Sequence, residues 1–433
     1  MIDTIYALSS GNVPSGVAVV RLSGPKSWQV AKSLTNDLPE IGQIKLAELV
    51  DPDEGDLIDR ALVLVFKGPA SFTGEDVVEL HCHGSRPVLS RLMDVLHRFD
   101  GCRMAEAGEF SRRAFENGKL DLTEVEGLSD LIAAETEAQR VLAVRQAGGE
   151  LRSLYEGWRA DLIRSRALIE AELDFSDEED VPGGVSDQVW AQTSDLVKAI
   201  EMHLDDGRRG EILRDGYRIV LSGPPNAGKS SLLNALARRD VAIVTPVPGT
   251  TRDVIDVDLD LDGIKVTVTD TAGLRRSDDL VEKEGIRRAE MAVDHADLVL
   301  WLESPQDRSD LAPPPGAVRV WTKSDLSDVA AINSSLTINT VKEDGLKDLL
   351  TFFRGKLASF SGGIETAVIT RERHRRSLEM CLQNLIEARD STADIEIRSE
   401  LLRQAADHLG KITGRVDVED LLDVIFSEFC VGK

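Results

Sequence analysis

The sequence has few cysteines, no long apolar run and too few basic residues to balance its acids. Its four cysteines, Cys82, Cys102, Cys381 and Cys430, are scattered over 433 residues and form no CxxC pair. This pattern argues against a disulfide scaffold and favours a reducing compartment. No apolar run approaches the ~20 residues that span a bilayer, and the first residues lack the basic and apolar regions of a signal peptide. We therefore expect a cytoplasmic protein without a membrane span.

The shortage of basic residues limits which partners are plausible. Lys and Arg number 51 against 76 Asp and Glu, which gives a net charge of −25. A chain this acidic repels phosphate backbones over most of its surface, so broad nucleic-acid binding without a partner is disfavoured. The best local basic patch comprises Arg371, Arg373, Arg375 and Arg376. We interpret it as a solvated helix face or a contact between domains rather than an RNA site.

Changes in residue pattern along the chain predict a multidomain protein. Residues 1–118 mix short alternating apolar runs with Gly and Pro, which is typical of an α+β domain. Residues 119–213 and 359–433 have helical spacing, whereas residues 214–358 alternate strands and helices as in a parallel α/β domain. The termini of an α/β domain commonly lie close together. We therefore predict one all-helical domain with the α/β domain inserted into it.

The helical part carries two local signals. Thr123 and Glu126 match a capping box at the start of its first helix. An acidic, glycine-bearing stretch at residues 174–184 interrupts the helical pattern, and we interpret it as a solvated loop. Helix is predicted again from about Ser186 to Leu213.

Residues 223–230, GPPNAGKS, satisfy the P-loop pattern. An apolar strand precedes them and the helical sequence SLLNALA follows, which is the context that separates a P-loop from a glycine-rich turn that matches by chance. The glycines allow backbone N–H groups to surround phosphates, and the helix N-terminus adds its positive pole. Lys229 is expected to reach the outer phosphates and Ser230 to ligate Mg²⁺.

The segment that follows predicts a hairpin that ends at the phosphates. In DVDLDLDGIKVTVTD, apolar residues alternate with aspartates, and Asp262-Gly263 supplies the turn. The second strand delivers Asp270 to the Mg²⁺ shell and Gly273 to the γ-phosphate. Before the hairpin, the hydroxyls of PGTTRD at residues 248–253 are suited to Mg²⁺. Residues 223–273 therefore predict a complete phosphate and metal site.

A base-recognition motif follows a predicted strand at residues 317–321. In Thr322-Lys323-Ser324-Asp325, the last carboxylate is placed to accept both N–H groups of guanine, which favours GTP over the alternative, ATP. The ordered motifs resemble the translation-factor-related class of P-loop GTPases, although Thr322 replaces the usual Asn. The last base-binding motif of that class is not recognisable at residues 339–341.

The residues alone leave two catalytic groups open. Many GTPases use a Gln to orient water, but Leu274 occupies that position. Glu282 and Glu284 are both candidates, and their pattern does not separate them. Positive charge near the bridge between the β- and γ-phosphates is also required, from an arginine finger or from a monovalent cation in its place. The side-chain oxygen of Asn226 suits such a cation, but the residues alone mark Asn226 only as a polar P-loop residue.

Over its whole length the chain resembles the bacterial MnmE (TrmE) family of tRNA-modification GTPases. In the N-terminal part, DTIYALSSGNVPSGVAVVRLSG and FTGEDVVELHCHGS carry the resemblance. AEAGEFSRRAFENGKLDLTEVEGLSDLI carries it into the helical part, and PGTTRD and DTAGLR carry it in the GTPase part. The terminal Cys430-Val431-Gly432-Lys433 matches the family's Cys-x-Gly-Lys.

For the N-terminal domain, the resemblance implies a folate-enzyme-like fold that forms a constitutive homodimer. It implies a bound tetrahydrofolate derivative, 5,10-methylene- or 5-formyl-. The matching ligand positions are Arg21, Glu79, Lys119 and Lys433. Arg and Lys suit the carboxylates of the folate tail, and Glu suits the N–H groups of the pterin ring. Cys430 is implied as a catalytic residue near the folate.

His81, Cys82 and His83 also permit an interpretation as zinc ligands. Because adjacent strand residues alternate between faces, only His81 and His83 share one. No further ligands cluster near them in the sequence, so we do not expect a metal here.

For the GTPase domain, which the resemblance makes Ras-like, catalysis is implied to depend on K⁺ and on dimerisation of two GTPase domains. The K⁺ ligands would be Asn226, Thr245, Val247 and Thr250, and the Mg²⁺ ligands Ser230 and Thr251. Glu282 matches the family's catalytic glutamate, which orients water. The full set of expected GTP-binding positions is Asn226, Ala227, Gly228, Lys229, Ser230, Ser231, Thr245, Pro246, Val247, Pro248, Gly249, Thr250, Thr251, Asp270, Thr271, Ala272, Gly273, Thr322, Lys323 and Asp325.

The implied reaction needs a second protein. With the FAD protein MnmG (GidA), in a heterotetramer, the family adds a carboxymethylaminomethyl or aminomethyl group to C5 of the wobble uridine of certain tRNAs. The folate supplies the one-carbon unit, and the partner is expected to hold most of the tRNA because this chain is so acidic. The alternative is a GTP-regulated ribosome-assembly or scaffold GTPase, which would not explain the N-terminal blocks or the terminal Cys-x-Gly-Lys.

Overall fold

The chain forms two compact units. One comprises Met1–Ser129, Gln146–Thr193 and Gln383–Lys433, and the other Asp130–Arg145 and Ser194–Leu382. Helical segments are thus divided between the units. No helix within the described residues is long and apolar enough to cross a membrane. The computed structural model describes residues 3–174, 185–206, 208–243, 256–270, 287, 291–305, 311–324, 336–342, 344–360, 367–416, 419–427, 429 and 431–432.

The first unit contains a six-stranded sheet in the order β3-β4-β5-β2-β1-β6. Neighbouring strands are antiparallel except for the parallel pair β1 and β6. Three of the alternating apolar runs in the first 118 residues form the strands β2, β4 and β5. The strands are β1 (Thr4–Leu8), β2 (Ser15–Ser23), β3 (Ile44–Val50), β4 (Leu57–Phe66), β5 (Val77–Gly84) and β6 (Cys102–Met104).

Alternation along these strands gives the sheet two different faces. On β2, Ala18, Val20 and Leu22 are fully buried, and they join a core with side chains from the helices α1 (Ser27–Thr35) and α2 (Arg86–His97). Each buried Val or Leu side chain stabilises the fold by about 1.5–3 kcal/mol. The residues between them point to the opposite face, which is therefore free to carry polar groups.

Helices complete the first unit, and the start of one corrects the predicted cap. Asp121, not Thr123, caps α4, because its Oδ1 accepts from the backbone N–H of Glu124 at 2.8 Å. The Glu124 carboxylate accepts in return from the N–H of Asp121 at 2.8 Å. The capping box therefore begins two residues earlier than predicted, and Thr123 and Glu126 are buried inside the helix. Of the helices that follow, α3 (Glu109–Glu116) and α6 (Glu150–Asp174) belong to the first unit, and α8 (Arg209–Asp215) belongs to the second. The division between the units falls within α4 (Leu122–Ala133), α5 (Glu137–Ala147) and α7 (Val185–Leu204), and all but the last two residues of α5 belong to the second unit.

The second unit contains a sheet in the order β12-β11-β10-β7-β9-β8. Only β8 runs antiparallel, paired with β9, so the predicted α/β class is confirmed. The predicted hairpin is present: Asp262 and Gly263 both have positive φ, +57° and +87°, as a type I′ turn requires. Its elements are β7 (Tyr217–Ser222), α9 (Lys229–Ala237), β8 (Asp256–Leu261), β9 (Ile264–Asp270), β10 (Leu298–Glu303), β11 (Val318–Trp321), β12 (Leu336–Thr337) and α10 (Lys347–Leu357).

Strand β9 is held at its hairpin end by the start of α5. The backbone N–H of Ala138 donates to the carbonyl of Gly263 at 3.1 Å, and Lys265 Nζ lies 2.5 Å from a Glu135 carboxylate oxygen. The other end of β9 is Asp270. One seven-residue strand thus connects a helical segment to a predicted metal ligand.

The predicted arginine patch lies at the start of α11 (Glu372–Asp390). Arg371 is ion-paired with Asp130 at 2.7 Å, and Arg375 with Asp206 at 2.7 Å and Glu211 at 3.1 Å. These two guanidinium groups are therefore engaged in ion pairs within the second unit, and not in a contact between the two units. The remaining helices, α12 (Ile395–Thr413) and α13 (Glu419–Ser427), belong to the first unit.

Candidate functional site

The P-loop joins β7 to α9 with little space for side chains. Gly223 has φ +140°, and a Cβ there would lie 2.3 Å from the carbonyl oxygen of Leu302. Lys229 is buried, and its Nζ donates to the carbonyls of Gly223 and Pro224, each at 2.9 Å. The ammonium group thus lies inside the loop, at the N-terminus of α9, where a helix favours phosphate oxygens.

Two oxygen ligands suited to Mg²⁺ meet beside this lysine. Ser230 Oγ donates to Asp270 Oδ2 at 2.7 Å, and Asp270 is buried at the end of β9. A hydroxyl and a carboxylate are the hard donors that Mg²⁺ takes together with phosphate oxygens and water. The residues present therefore fit the expected metal.

Thr322 connects the base-recognition motif to the P-loop. Its hydroxyl lies 2.7 Å from the carbonyl of Ala227 and 3.2 Å from that of Glu303. A hydroxyl has one hydrogen to donate, so the shorter contact to Ala227 takes it. The side chain is 2% exposed. Thr322 therefore holds two loops together, while the following Lys323 adopts a left-handed φ of +54°.

A second polar site lies on the exposed face of the first sheet. Arg21 on β2 is directly opposite Glu79 on β5, and its Nε and a terminal nitrogen contact Glu79 Oε1 at 3.0 and 2.9 Å. His81 Nε2 lies 3.1 Å from Glu79 Oε2. All three side chains are between 17% and 26% exposed, so ligand can still reach them.

Aromatic rings and the lysine complete this face. The Arg21 guanidinium lies 5.5 Å from the ring centre of Phe72 and 5.7 Å from that of Phe110, within the range of a cation–π contact. Lys119 is exposed, and its side chain runs past Gly74, where an added Cβ would lie 3.4 Å from Lys119 Cγ. The Phe72–Gly74 loop therefore lies next to Arg21 and Lys119, the two predicted cationic ligands that are among the described residues.

Cys82 lies on the other side of the same strand. It is buried in the core, and burial raises the pKa of its thiol to about 11. It is therefore neither a thiolate nor accessible from the face that carries His81.

The described end of the chain lies on this domain. Ser9 Oγ donates to the carbonyl of Gly432 at 2.8 Å, and Val431 forms an antiparallel bridge with Ala107. The backbone N–H of Ser9 donates to the carbonyl of Val19, which is the residue opposite His81 on β2. The tail thus reaches the strand that bears Arg21.

Comparison with known proteins identifies the family of this chain. A family model described as GTP-binding protein TrmE N-terminus matches residues 4–119, and one described as MnmE helical domain matches residues 122–430. The chain belongs to the MnmE family. Two curated relatives are each named tRNA modification GTPase MnmE: that of Rhizobium johnstonii is 53% identical over 435 residues, and that of Agrobacterium fabrum is 51% identical over 438. Each comparison covers 100% of this chain and 99% of the relative.

Among solved structures, the G domain of the T. maritima FeoB iron transporter is similar to part of this chain. It is 22% identical, with a TM-score of 0.22, and the match covers 34% of this chain and 98% of that one. The MnmE assignment rests on the family models and the full-length relatives.

Some of the expected site residues are among the described residues, and the others lie outside them. At the nucleotide site, the described residues are positions 226–231 of the P-loop, Asp270, which contacts Ser230, and Thr322 with the adjacent Lys323. On the sheet face, the described residues are Arg21, Glu79 and Lys119. Those outside the described residues are Thr245, Pro246, Val247, Pro248, Gly249, Thr250, Thr251, Thr271, Ala272, Gly273, Glu282, Asp325, Cys430 and Lys433.

From the sequence alone, Phe72 and Phe110 were not identified as members of the sheet face, nor His81 as the partner of Glu79. The two-residue spacing of Glu79 and His81 on one strand places them on one face, and this signal could have identified the pair. The ring of Phe110 comes from α3, far along the chain, so only the tertiary structure brings it to Arg21.

Proposed function

We propose that this chain hydrolyses GTP in the modification of wobble uridine at C5. In this proposal it acts as a cytoplasmic homodimer, together with the FAD protein MnmG (GidA) in a heterotetramer. The observation that carries it is the contact of Ser230 with Asp270 beside the buried Lys229. This arrangement is suited to a nucleotide phosphate with its Mg²⁺, in a chain that matches MnmE relatives from end to end.

At the nucleotide, Lys229 would exchange its two loop carbonyls for phosphate oxygens, and Ser230 and Asp270 would hold Mg²⁺ and its water. Thr251 is the second Mg²⁺ ligand in this proposal. Asn226, with Thr245, Val247 and Thr250, would hold K⁺, which supplies positive charge as the transition state develops. Glu282 would orient the attacking water.

At the sheet face, a tetrahydrofolate derivative would supply the one-carbon unit. Glu79 would accept from the N–H groups of the pterin ring, and Lys119 and Lys433 would bind carboxylates of its glutamate tail. Arg21 is ion-paired with Glu79, so its role would be to hold that carboxylate in place. Its guanidinium, packed against the ring of Phe72, would form one wall of the folate site. Cys430 would act next to the folate.

An apolar extension of the same face supports the homodimer. On β4, Leu64 is opposite Glu79 and Leu62 is opposite His81. On β3, the next strand, Ile44 is opposite Leu64 and Leu46 is opposite Leu62. Ile44 is 63%, Leu46 65% and Leu62 43% exposed. A contiguous apolar surface of this kind is typical of a protein–protein contact, and a second copy of the chain would cover it.

The proposal is tested with the full-length protein. Calorimetric titration with 5-formyltetrahydrofolate should release or absorb heat at one site per chain, and GTP turnover should fall severely when Na⁺ replaces K⁺. Binding of no tetrahydrofolate species would favour the ribosome-assembly or scaffold alternative. Equal turnover in the two salts would remove the cation role of Asn226.

The cellular part has its own test. A nucleoside profile of tRNA from cells lacking the protein should show loss of the C5 modification at the wobble position. Glu282→Ala should lose GTP hydrolysis and keep nucleotide affinity. An unchanged profile would overturn the tRNA assignment.

A further inference from the structure

The Glu79 carboxylate is held at both of its oxygens. Oε1 accepts from Arg21 Nε at 3.0 Å and lies 2.9 Å from a terminal nitrogen of the same guanidinium, and Oε2 is 3.1 Å from His81 Nε2. Either contact alone would leave rotation about the last side-chain bond, which is a soft torsion for Glu. With both contacts, the plane of the carboxylate is fixed.

His81 is placed for this contact by the sheet. It is two residues after Glu79 on β5, so both side chains point to one face. Val19 on β2 and Leu62 on β4 are directly opposite His81 on its two sides. These neighbours offer the imidazole no hydrogen bond, which leaves the Glu79 carboxylate as its partner on the face. With Glu79 ionised, His81 Nε2 carries the hydrogen and donates it.

We propose that His81 is a positioning residue for ligand recognition: it orients the Glu79 carboxylate so that its two oxygens face the pterin ring of a folate. This inference rests on the folate site proposed above. A pterin presents two adjacent N–H donors on one edge, and a carboxylate with a fixed plane accepts both side by side. A carboxylate free to rotate loses affinity because it must be ordered on binding.

The test compares three variants with wild type by calorimetric titration of the full chain with 5-formyltetrahydrofolate. His81→Ala should weaken binding about 5- to 10-fold, which corresponds to the typical net contribution of one hydrogen bond. His81→Gln should bind within about 2-fold of wild type, because its side-chain N–H can still donate to Glu79. His83→Ala is the matched control, since His83 is on the same face but bonds to Asp59 at 2.8 Å instead.

The outcomes separate this inference from the site on which it rests. Wild-type protein that binds no folate overturns the site, and the role of His81 with it. If wild type binds and His81→Ala binds equally well, only the role of His81 is overturned. That role is also overturned if His81→Gln is as weak as His81→Ala, because the donated hydrogen bond would then not be what matters. Melting temperatures within about 2 °C of wild type, a margin of roughly 1 kcal/mol or less, would show that a loss of affinity is not a loss of fold.

Discussion

The two candidate sites of this chain are built from different material. On the N-terminal sheet, the site consists of side chains on strands, and Arg21, Glu79 and His81 satisfy one another directly. At the P-loop, the site consists largely of backbone, and the charged Lys229 is held by main-chain carbonyls. On the sheet, a ligand can bind while the Arg21–Glu79 ion pair stays intact. At the P-loop, a phosphate must replace the loop carbonyls as the hydrogen-bond partner of Lys229.

This difference predicts different penalties for mutation. Removing Arg21 from the sheet site leaves the partly buried Glu79 carboxylate without its cationic partner, so stability and ligand affinity should fall together. Removing Lys229 takes away a charge that the ligand needs, while the loop loses the hydrogen bonds from its ammonium group to the carbonyls of Gly223 and Pro224. The following variants test that contrast.

Lys229→Ala should have the largest effect. Loss of the ammonium group should weaken GTP binding by at least about 100-fold, because a charge-assisted contact to phosphate is lost, with little change in melting temperature. Binding of a fluorescent GTP analogue measures it. Lys198→Ala is the control, since Lys198 is 70% exposed in α7 and pairs only with Asp195. Affinity within about 3-fold of wild type for Lys229→Ala would contradict the P-loop assignment.

Asp121 should make the stability of the first unit depend on pH. Burial raises the pKa of this capping carboxyl to about 6. The folded state therefore binds the proton more tightly than the unfolded state, and stability from this group falls as the pH rises from about 4 through 6. Asp121→Asn keeps the capping oxygen and cannot ionise. Relative to wild type it should gain about 2 kcal/mol between about pH 4 and pH 8.

Urea unfolding at the two pH values measures this difference, with Asp121→Ala as the control. The alanine variant also loses the cap, which costs about 1 kcal/mol at either pH. A difference between Asn and wild type that does not change with pH would show that Asp121 ionises normally.

Arg21→Ala should destabilise the first unit by about 1–2 kcal/mol, because Glu79 keeps only His81 as a partner and is only 17% exposed. Arg60→Ala removes another cross-strand ion pair of the same sheet, to Glu48, in which both side chains are more than half exposed. It should cost less than about 0.5 kcal/mol. Equal losses in urea unfolding would mean that burial does not distinguish the two pairs.

Thr322→Val should have the smallest effect, about 1 kcal/mol in stability, because the carbonyl of Ala227 loses this donor while the shape is kept. Thr322→Ser retains the hydroxyl and should stay closer to wild type. Thermal unfolding and GTP affinity measured together decide whether the contact mainly supports the fold or the position of the base motif. Full retention of both in Thr322→Val would show that the link to the P-loop is dispensable.

Local patterns predicted much of the second unit. Alternation in the segment from Asp256 to Asp270 determines which side chains are buried, and Asp262-Gly263 suits the left-handed turn, so hairpin and register follow from adjacent residues. The P-loop was equally local. The contact of Ser230 with Asp270 needs two motifs 40 residues apart, and their shared role with Mg²⁺ was enough to pair them.

Other features depend on residues that are distant in sequence. The predicted cap at Thr123 was wrong by two residues because Thr and Asp both suit that position, and the burial of Thr123 inside the helix decides for Asp121. The cover over Arg21 comes from Phe72 in a loop and Phe110 on a helix, and no periodicity links these two rings. Nor did the helical pattern reveal that its segments would be divided between two compact units.

The hairpin that ends in Asp270 has a mechanical consequence. Hydrogen bonds to β7 on one side and β8 on the other make β9 resist bending and stretching. At about 3.3 Å per residue, its length amounts to a strut of roughly 20 Å. The start of α5 grips one end, at Gly263 and Lys265, and the carboxylate that meets Ser230 is at the other. A displacement of the start of α5 along the strand is therefore expected to move Asp270, the predicted metal ligand, by nearly the same distance.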